Sequence, residues 1–134
     1  MTLARYVVPM FLVVVSVFGC FSPVLASDLK ITEMAVTTKI VKGNPIDAVR
    51  RISSRSVPAL YCFTRLTGGD QESSIKHVWY KDGIKVAEYE LPVKGERWRT
   101  YSKKTLDRQS AGEWRVDAVA DDGAVLKSVS FRIN

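Results

Sequence analysis

Three features of this chain could carry chemistry: the thiol of Cys62, the single imidazole at His77, and a basic run from Lys94 to Lys104 that reads KGERWRTYSKK. A Cys–His nucleophile pair requires the two side chains to be adjacent and a third group to orient the base. Neighbouring strands could bring Cys62 and His77 together, but no flanking motif accompanies either residue. The chain has no HExxH and no glycine-rich phosphate loop. Ser73–Lys76 spells SxxK, yet it enters a strand and not the helix that would align its serine and lysine. Glu88 and Glu90 share one strand face, whereas the carboxylates of a glycosidase stand on opposite sides of a cleft. Asp117, Asp121 and Asp122 lack EF-hand spacing. These patterns assign no catalytic residue, metal or cofactor, and Cys62 and His77 remain as the enzyme alternative.

The basic run offers binding chemistry. In a strand, successive side chains point to opposite faces, which sets Trp98, Thr100 and Ser102 on one side and Arg97, Arg99, Tyr101 and Lys103 on the other. Guanidinium groups grip a phosphate or carboxylate through paired N–H donors, and an aromatic ring beside them stacks. Arg97, Arg99, Tyr101, Lys103 and Lys104 therefore form the candidate ligand-binding set. Two other readings compete. One is a solvated sheet face with Glu88, Glu90 or Asp117 as cross-strand partners; the other has the arginines bonding carbonyls at a corner of the fold. Trp98 itself belongs inside with Trp79 and Trp114. Burying an indole removes roughly 150 to 250 Å² from water, about 4 to 6 kcal/mol gross at roughly 25 cal/mol/Å². An exposed arginine contact is worth about 1 kcal/mol or less.

The elements that must position these residues are strands. Alternating runs cover Ile31–Val41, Leu60–Leu66, Ile75–Lys81, Ile84–Leu91, Arg97–Ser102, Trp114–Ala120 and Val125–Ile133, with no helix-period segment of useful length. KGNPID breaks the first run, and RRISSRSVP reads as an exposed basic loop. Asp82-Gly83 and Asp122-Gly123 are two-residue hairpin signals. A type I′ turn at the second sets Trp114 opposite Phe131, Val116 opposite Val129 and Ala120 opposite Val125, making one face apolar; a one-residue slip would set Trp114 against Ser130. At the first, the same turn sets Trp79 opposite Val86 and His77 opposite Glu88, a cross-strand hydrogen bond or ion pair. About seven strands imply an all-β, antiparallel two-sheet sandwich of immunoglobulin type. The order of Cys62 and Trp79 agrees, although no second cysteine follows.

Residues 1–26 stand apart from that domain. Arg5 precedes the apolar stretch Val7–Phe21, and SPVLAS places Val24 and Ala26 where a signal peptidase reads small residues. Cleavage after Ala26 would leave residues 27–134 as one β-sandwich domain, periplasmic or secreted. Two alternatives stay open: VFGC resembles a lipobox, with lipidation at Cys20, and Leu3–Ala26 approaches the roughly 20 apolar residues of an uncleaved span. Each exports the domain, and the membrane is touched only through this segment. The chain has 20 basic and 14 acidic residues; without Arg5 the remainder keeps 19 and 14, a net charge of +5. Its one cysteine, Cys62, cannot form an internal disulfide, so a buried apolar role is expected. Nucleic-acid binding needs a concentrated basic stripe beside exposed aromatics; here the charge is spread, and export removes that partner.

NPIDAV, LYCFTRLTG, HVWYKDG, GERWRTYSKKTL and GEWRVDAVADDGAVL follow one another as in an uncharacterised group of bacterial domains, the domain of unknown function 2914. The resemblance runs from about Ile31 to Ile133. Its most specific elements are Trp79 with Asp82-Gly83, Arg97-Trp98-Arg99 with Ser102 and Lys104, and Gly112 with Trp114. It implies an envelope-associated β-domain, often attached to membrane segments, and brings no agreed activity, cofactor or catalytic residue. The resulting expectation is a noncatalytic binding module of the bacterial envelope, holding a protein or anionic polymer on its basic strand.

Overall fold

The computed structural model describes Gly19 and residues 28–134 except Gln71. The signal-like segment, its Ala26 cleavage position and Cys20 lie outside the described residues. Ten β elements follow in order: β1 Lys30–Thr37, β2 Ile40–Val41, β3 Asn44–Pro45, β4 Arg51–Ile52, β5 Ala59–Thr67, β6 Ser73–Lys81, β7 Ile84–Val93, β8 Arg97–Thr105, β9 Gly112–Ala120 and β10 Val125–Ile133. Among the described residues there is no helix. One sheet has the order β1-β5-β8, the other β4-β10-β9-β6-β7, and β2 and β3 form a small hairpin. The seven expected runs are the seven long strands of this two-sheet sandwich.

Register departs from the expected one at both Asp-Gly turns. Asp82 and Gly83 have φ of 51° and 78°, as a type I′ turn requires, and Lys81 faces Ile84. A bulge between Trp79 and Tyr80 then shifts the ladder, so Trp79 faces Ala87 and His77 faces Tyr89. The expected pairs Trp79/Val86 and His77/Glu88 are therefore not formed: a bulge adds a residue that alternation does not foresee. At the second turn only Gly123, at 86°, has positive φ, and Asp122 Oδ1 accepts from the Ala124 amide at 2.9 Å. Val125 consequently faces Val119 rather than Ala120, with a bulge between Val125 and Lys127. Beyond it Trp114 faces Phe131 and Val116 faces Val129, as expected.

The first run also differs. It ends at Thr37 because Asp47 captures the chain: Oδ1 accepts from Thr37 Oγ1 at 2.7 Å and from the Thr38 amide at 2.8 Å, and Oδ2 accepts from Thr38 Oγ1 at 2.6 Å. Burial raises the Asp47 pKa, but these donors outweigh it and leave it lowered. Ile40 and Val41 then turn back as β2–β3. Within RRISSRSVP, Arg51 and Ile52 form β4, which pairs parallel with Arg132 and Ile133 of β10.

The core lies between the sheets. Trp79 meets Trp114 and Phe131 edge-on, with centroids 6.3 and 6.2 Å apart, and Trp114 stacks on Phe131 at 5.9 Å. Trp98 points inward but is only half buried, against a satellite cluster of Leu29, Leu66, Ile75 and Val93. Gly112 sits at φ 151°, where a Cβ would stand 2.8 Å from the Asp82 carboxylate. That carboxylate accepts from the Glu113 amide at 3.0 Å, tying the β6–β7 turn to β9.

Polar side chains also cross the core. His77 of β6 is 0% exposed; hydrogen bonds join its Nε2 to Thr64 Oγ1 of β5 at 2.7 Å and its Nδ1 to Ser102 Oγ of β8 at 2.8 Å. Trp79 Nε1 donates to the same Ser102 oxygen at 3.0 Å. A neutral imidazole carries one N–H, so one ring nitrogen donates and the other accepts.

Burial pulls the His77 pKa down from its ordinary value to about 4. The unfolded chain binds a proton near pH 6.5 that the folded chain refuses until about pH 4, so stability is full above 6.5 and falls as pH drops through that window. Urea unfolding is expected to lose on the order of 3 kcal/mol across it, and His77→Gln should flatten that slope. Ser102→Ala orphans two buried groups at roughly 1 to 3 kcal/mol each. At pH 7 it should lower the unfolding free energy by at least about 2 kcal/mol.

Candidate functional site

The enzyme alternative depends on groups that solvent does not reach. Cys62 and His77 are both 0% exposed, and both ring nitrogens of His77 are taken by Thr64 and Ser102. Burial also pushes the Cys62 thiol well above its ordinary range, away from the nucleophilic thiolate. Glu88, the expected partner of His77, instead bonds Lys85 Nζ at 3.1 Å on the outer surface. Among the described residues no group of three His, Cys, Asp or Glu side chains could hold a metal ion.

The basic strand has a different geometry. β8 is an edge strand, antiparallel to β5 in the register Arg97↔Thr67, Arg99↔Arg65, Tyr101↔Phe63 and Lys103↔Tyr61. These eight residues line the outer face of the three-stranded sheet, while Trp98, Thr100 and Ser102 point toward the core as alternation predicts. Arg97, Arg99 and Lys103 are exposed, and Tyr101, 49% exposed, meets Tyr61 edge-on at 5.8 Å.

Lys104 does not belong to this face. It shares the parity of Trp98 and Ser102, is half buried, and its Nζ donates to the Thr105 carbonyl at 3.4 Å. The five-residue candidate set therefore loses Lys104, because adjacent residues of a strand cannot share a side. Arg65 takes its place. Alternation along ALYCFTRL, with Leu60, Cys62 and Leu66 inward, would have put Tyr61, Phe63 and Arg65 outward beside the arginines; only the pairing of β5 with β8 shows that they meet.

The β2–β3 hairpin lies against this face. Lys42 and Gly43 take φ of 50° and 74° at its turn. Next to them, Asn44 Oδ1 accepts from Arg99 Nη1 at 2.9 Å and from Arg65 Nη2 at 3.2 Å. Phe63, only 1% exposed on this outer side, has the Arg65 guanidinium 5.9 Å from its ring centre.

Charge is poorly balanced here. Glu33 stands 3.6 Å from Arg65 Nε. Arg97, Arg99 and Lys103 have no carboxylate in ion-pair contact among the described residues. Glu88, Glu90 and Asp117, the acidic partners considered for the basic strand, lie on β7 and β9 of the other sheet. Arg65, Arg97, Trp98 and Arg99 line a surface cleft of about 320 Å³.

A family-level match covers the part of the chain that contains this strand. Residues 72–133 match the DUF2914 family model. Its description is "Protein of unknown function (DUF2914)". The match spans β6 to β10 and thus includes Trp79, Asp82-Gly83, Arg97, Arg99, Ser102, Gly112 and Trp114; NPIDAV and LYCFTRLTG precede it. Within the matched segment, Trp79, Asp82, Ser102, Gly112 and Trp114 build the sandwich, whereas Arg97 and Arg99 face solvent.

Among solved structures, an immunoglobulin-like protein from Pseudomonas aeruginosa is similar to this chain with a TM-score of 0.54 at 13% identity, covering 79% of this chain and 96% of that one. A CARDB domain from Pyrococcus furiosus, solved in complex with di-metal ions, gives a TM-score of 0.41 at 14% identity, covering 75% and 92%. The first likeness establishes an immunoglobulin-like fold. No curated protein matches the chain.

Native Cys62 is expected to resist alkylation by iodoacetamide and to react at once in urea, followed by intact mass. Rapid modification of the folded domain would restore the thiol to consideration.

Proposed function

We propose that this chain is an exported, noncatalytic binding module of the bacterial envelope, which holds an anionic glycan on the outer face of its three-stranded sheet. The carrying observation is the gathering of Arg65, Arg97, Arg99 and Lys103 beside the Tyr61–Tyr101 pair, with Glu33 alone in ion-pair contact among the described residues. Guanidinium groups favour carboxylate and phosphate through paired N–H donors, and half-exposed tyrosine rings offer flat apolar surface to a sugar ring. That combination favours a glycan over an acidic protein segment, which would meet the same charges without needing the rings. The burial of Cys62 and His77 supports a noncatalytic role. Export follows from the signal-like pattern of residues 1–26. The fold itself supplies no ligand, since one architecture hosts many functions.

The double variant Arg97→Gln, Arg99→Gln tests this reading on immobilised polygalacturonate and a glycerol-phosphate polymer, with neutral dextran as the blank. Wild type should be retained on an anionic polymer and eluted by salt. The variant should bind at least about tenfold more weakly, a loss of about 1.4 kcal/mol, with its melting temperature nearly unchanged because surface substitutions rarely exceed about 0.5 kcal/mol. Equal retention of both proteins would reject the site. Retention of wild type on poly-glutamate alone would transfer the face to an acidic protein partner, and unfolding of the variant would make the arginines structural.

A further inference from the structure

Two solvent-facing cations converge on one neutral oxygen at the centre of the basic face. Arg65 and Arg99 are direct cross-strand neighbours, and both donate to Asn44 Oδ1, at 3.2 and 2.9 Å. Like charges directly opposite on a sheet repel, and an uncharged amide oxygen offsets that repulsion weakly. Each guanidinium carries five N–H donors. Arg99 uses one of them on Asn44, Arg65 uses one on Asn44 and directs Nε toward Glu33, and Arg97, two residues along the same face, has no side-chain hydrogen bond or ion pair among the described residues. The three residues line one cleft, and most of their donors have no acceptor among the described residues.

We infer that Asn44 stands in for one oxygen of a phosphate group, and that a phosphate-bearing ligand displaces it to be held by Arg65, Arg97 and Arg99. The inference rests on the binding-face reading above and narrows its anion. A carboxylate presents its two oxygens in one plane, and a single bidentate guanidinium occupies the edge they share. Three arginines lining one cleft, two of them converged on a single oxygen, are matched by a tetrahedral anion with oxygens facing several directions. Asn44 is placed to act as a displaceable occupant. Its backbone is fixed by pairing with Val41 across the Lys42-Gly43 turn. Among the described residues its side chain is held, beyond the two arginines, only by a 3.5 Å contact from Nδ2 to the Lys42 carbonyl. A side-chain rotation therefore clears the site while the hairpin stays in place, and the amide keeps the two guanidinium groups converged until the anion arrives, a form of preorganisation.

Substitutions at Asn44 give effects of opposite sign. Asn44→Asp places a carboxylate on both arginines, so it should raise the melting temperature and weaken inorganic phosphate binding at least tenfold. Asn44→Ala removes the internal occupant and should bind phosphate as tightly as wild type or severalfold tighter. Arg99→Gln should lose binding. Titrations are read from the arginine Nε–H resonances of the full domain, with acetate as the carboxylate control. Phosphate binding to Asn44→Asp equal to wild type, or acetate binding as well as phosphate, would overturn the inference. Retention of wild type on polygalacturonate without any phosphate response would also overturn it while leaving the binding face standing; failure on every anionic polymer would remove the face itself. Vesicles of phosphatidylglycerol against phosphatidylcholine distinguish the source: capture by the former supports the inference with a lipid phosphate, and capture only by the glycerol-phosphate polymer supports it with a glycan phosphate.

Discussion

A chain of side-chain hydrogen bonds across the core, Thr64 to His77 to Ser102 to Trp79, joins the two sheets. Hydrophobic contact is non-directional and would tolerate small slides of one sheet over the other. A buried hydrogen bond tolerates none, because a donor or acceptor left without a partner in the interior costs roughly 1 to 3 kcal/mol. His77 reaches two different strands of the opposite sheet, and Ser102 collects bonds from two residues of β6. Together they fix the position of β8, the edge strand that carries the basic face, against the sheet packed beneath it.

The two sides of β8 thus divide the labour. Its inward residues are held by the network and by the satellite core around Trp98, while its outward residues are nearly free of protein partners. Among the described residues Arg97 and Lys103 have no ion pair, and Arg99 hydrogen-bonds only to Asn44. A rigid backbone carrying uncommitted guanidinium groups is an economical way to present positive charge: position is determined from below, and the donors stay available above. The β2–β3 hairpin, anchored at Thr37 and Thr38 by Asp47, brings the neutral acceptor that keeps Arg65 and Arg99 together.

Much of this was legible from period-two alternation. It identified the seven long strands, the inward course of Trp79, Trp98 and Trp114, and the outward course of Arg97, Arg99, Tyr101 and Lys103. It failed where a local device changes the count. A bulge beside Trp79 moved His77 from Glu88 to Tyr89, an Asp122 side-chain bond replaced a type I′ turn, and Asp47 ended β1 early and made a hairpin of KGNP. Lys104 could have been excluded by the same alternation that admitted Lys103.

The sequence by itself determined which side of each strand a residue occupies, because side-chain direction is a property of the local backbone. Which strands stand next to one another was decided by tertiary structure, because pairing joins residues far apart in the chain and is selected by the whole core at once. The meeting of Arg65 with Arg99, the arrival of Asn44 between them, and the burial of His77 between Thr64 and Ser102 all belong to that second kind.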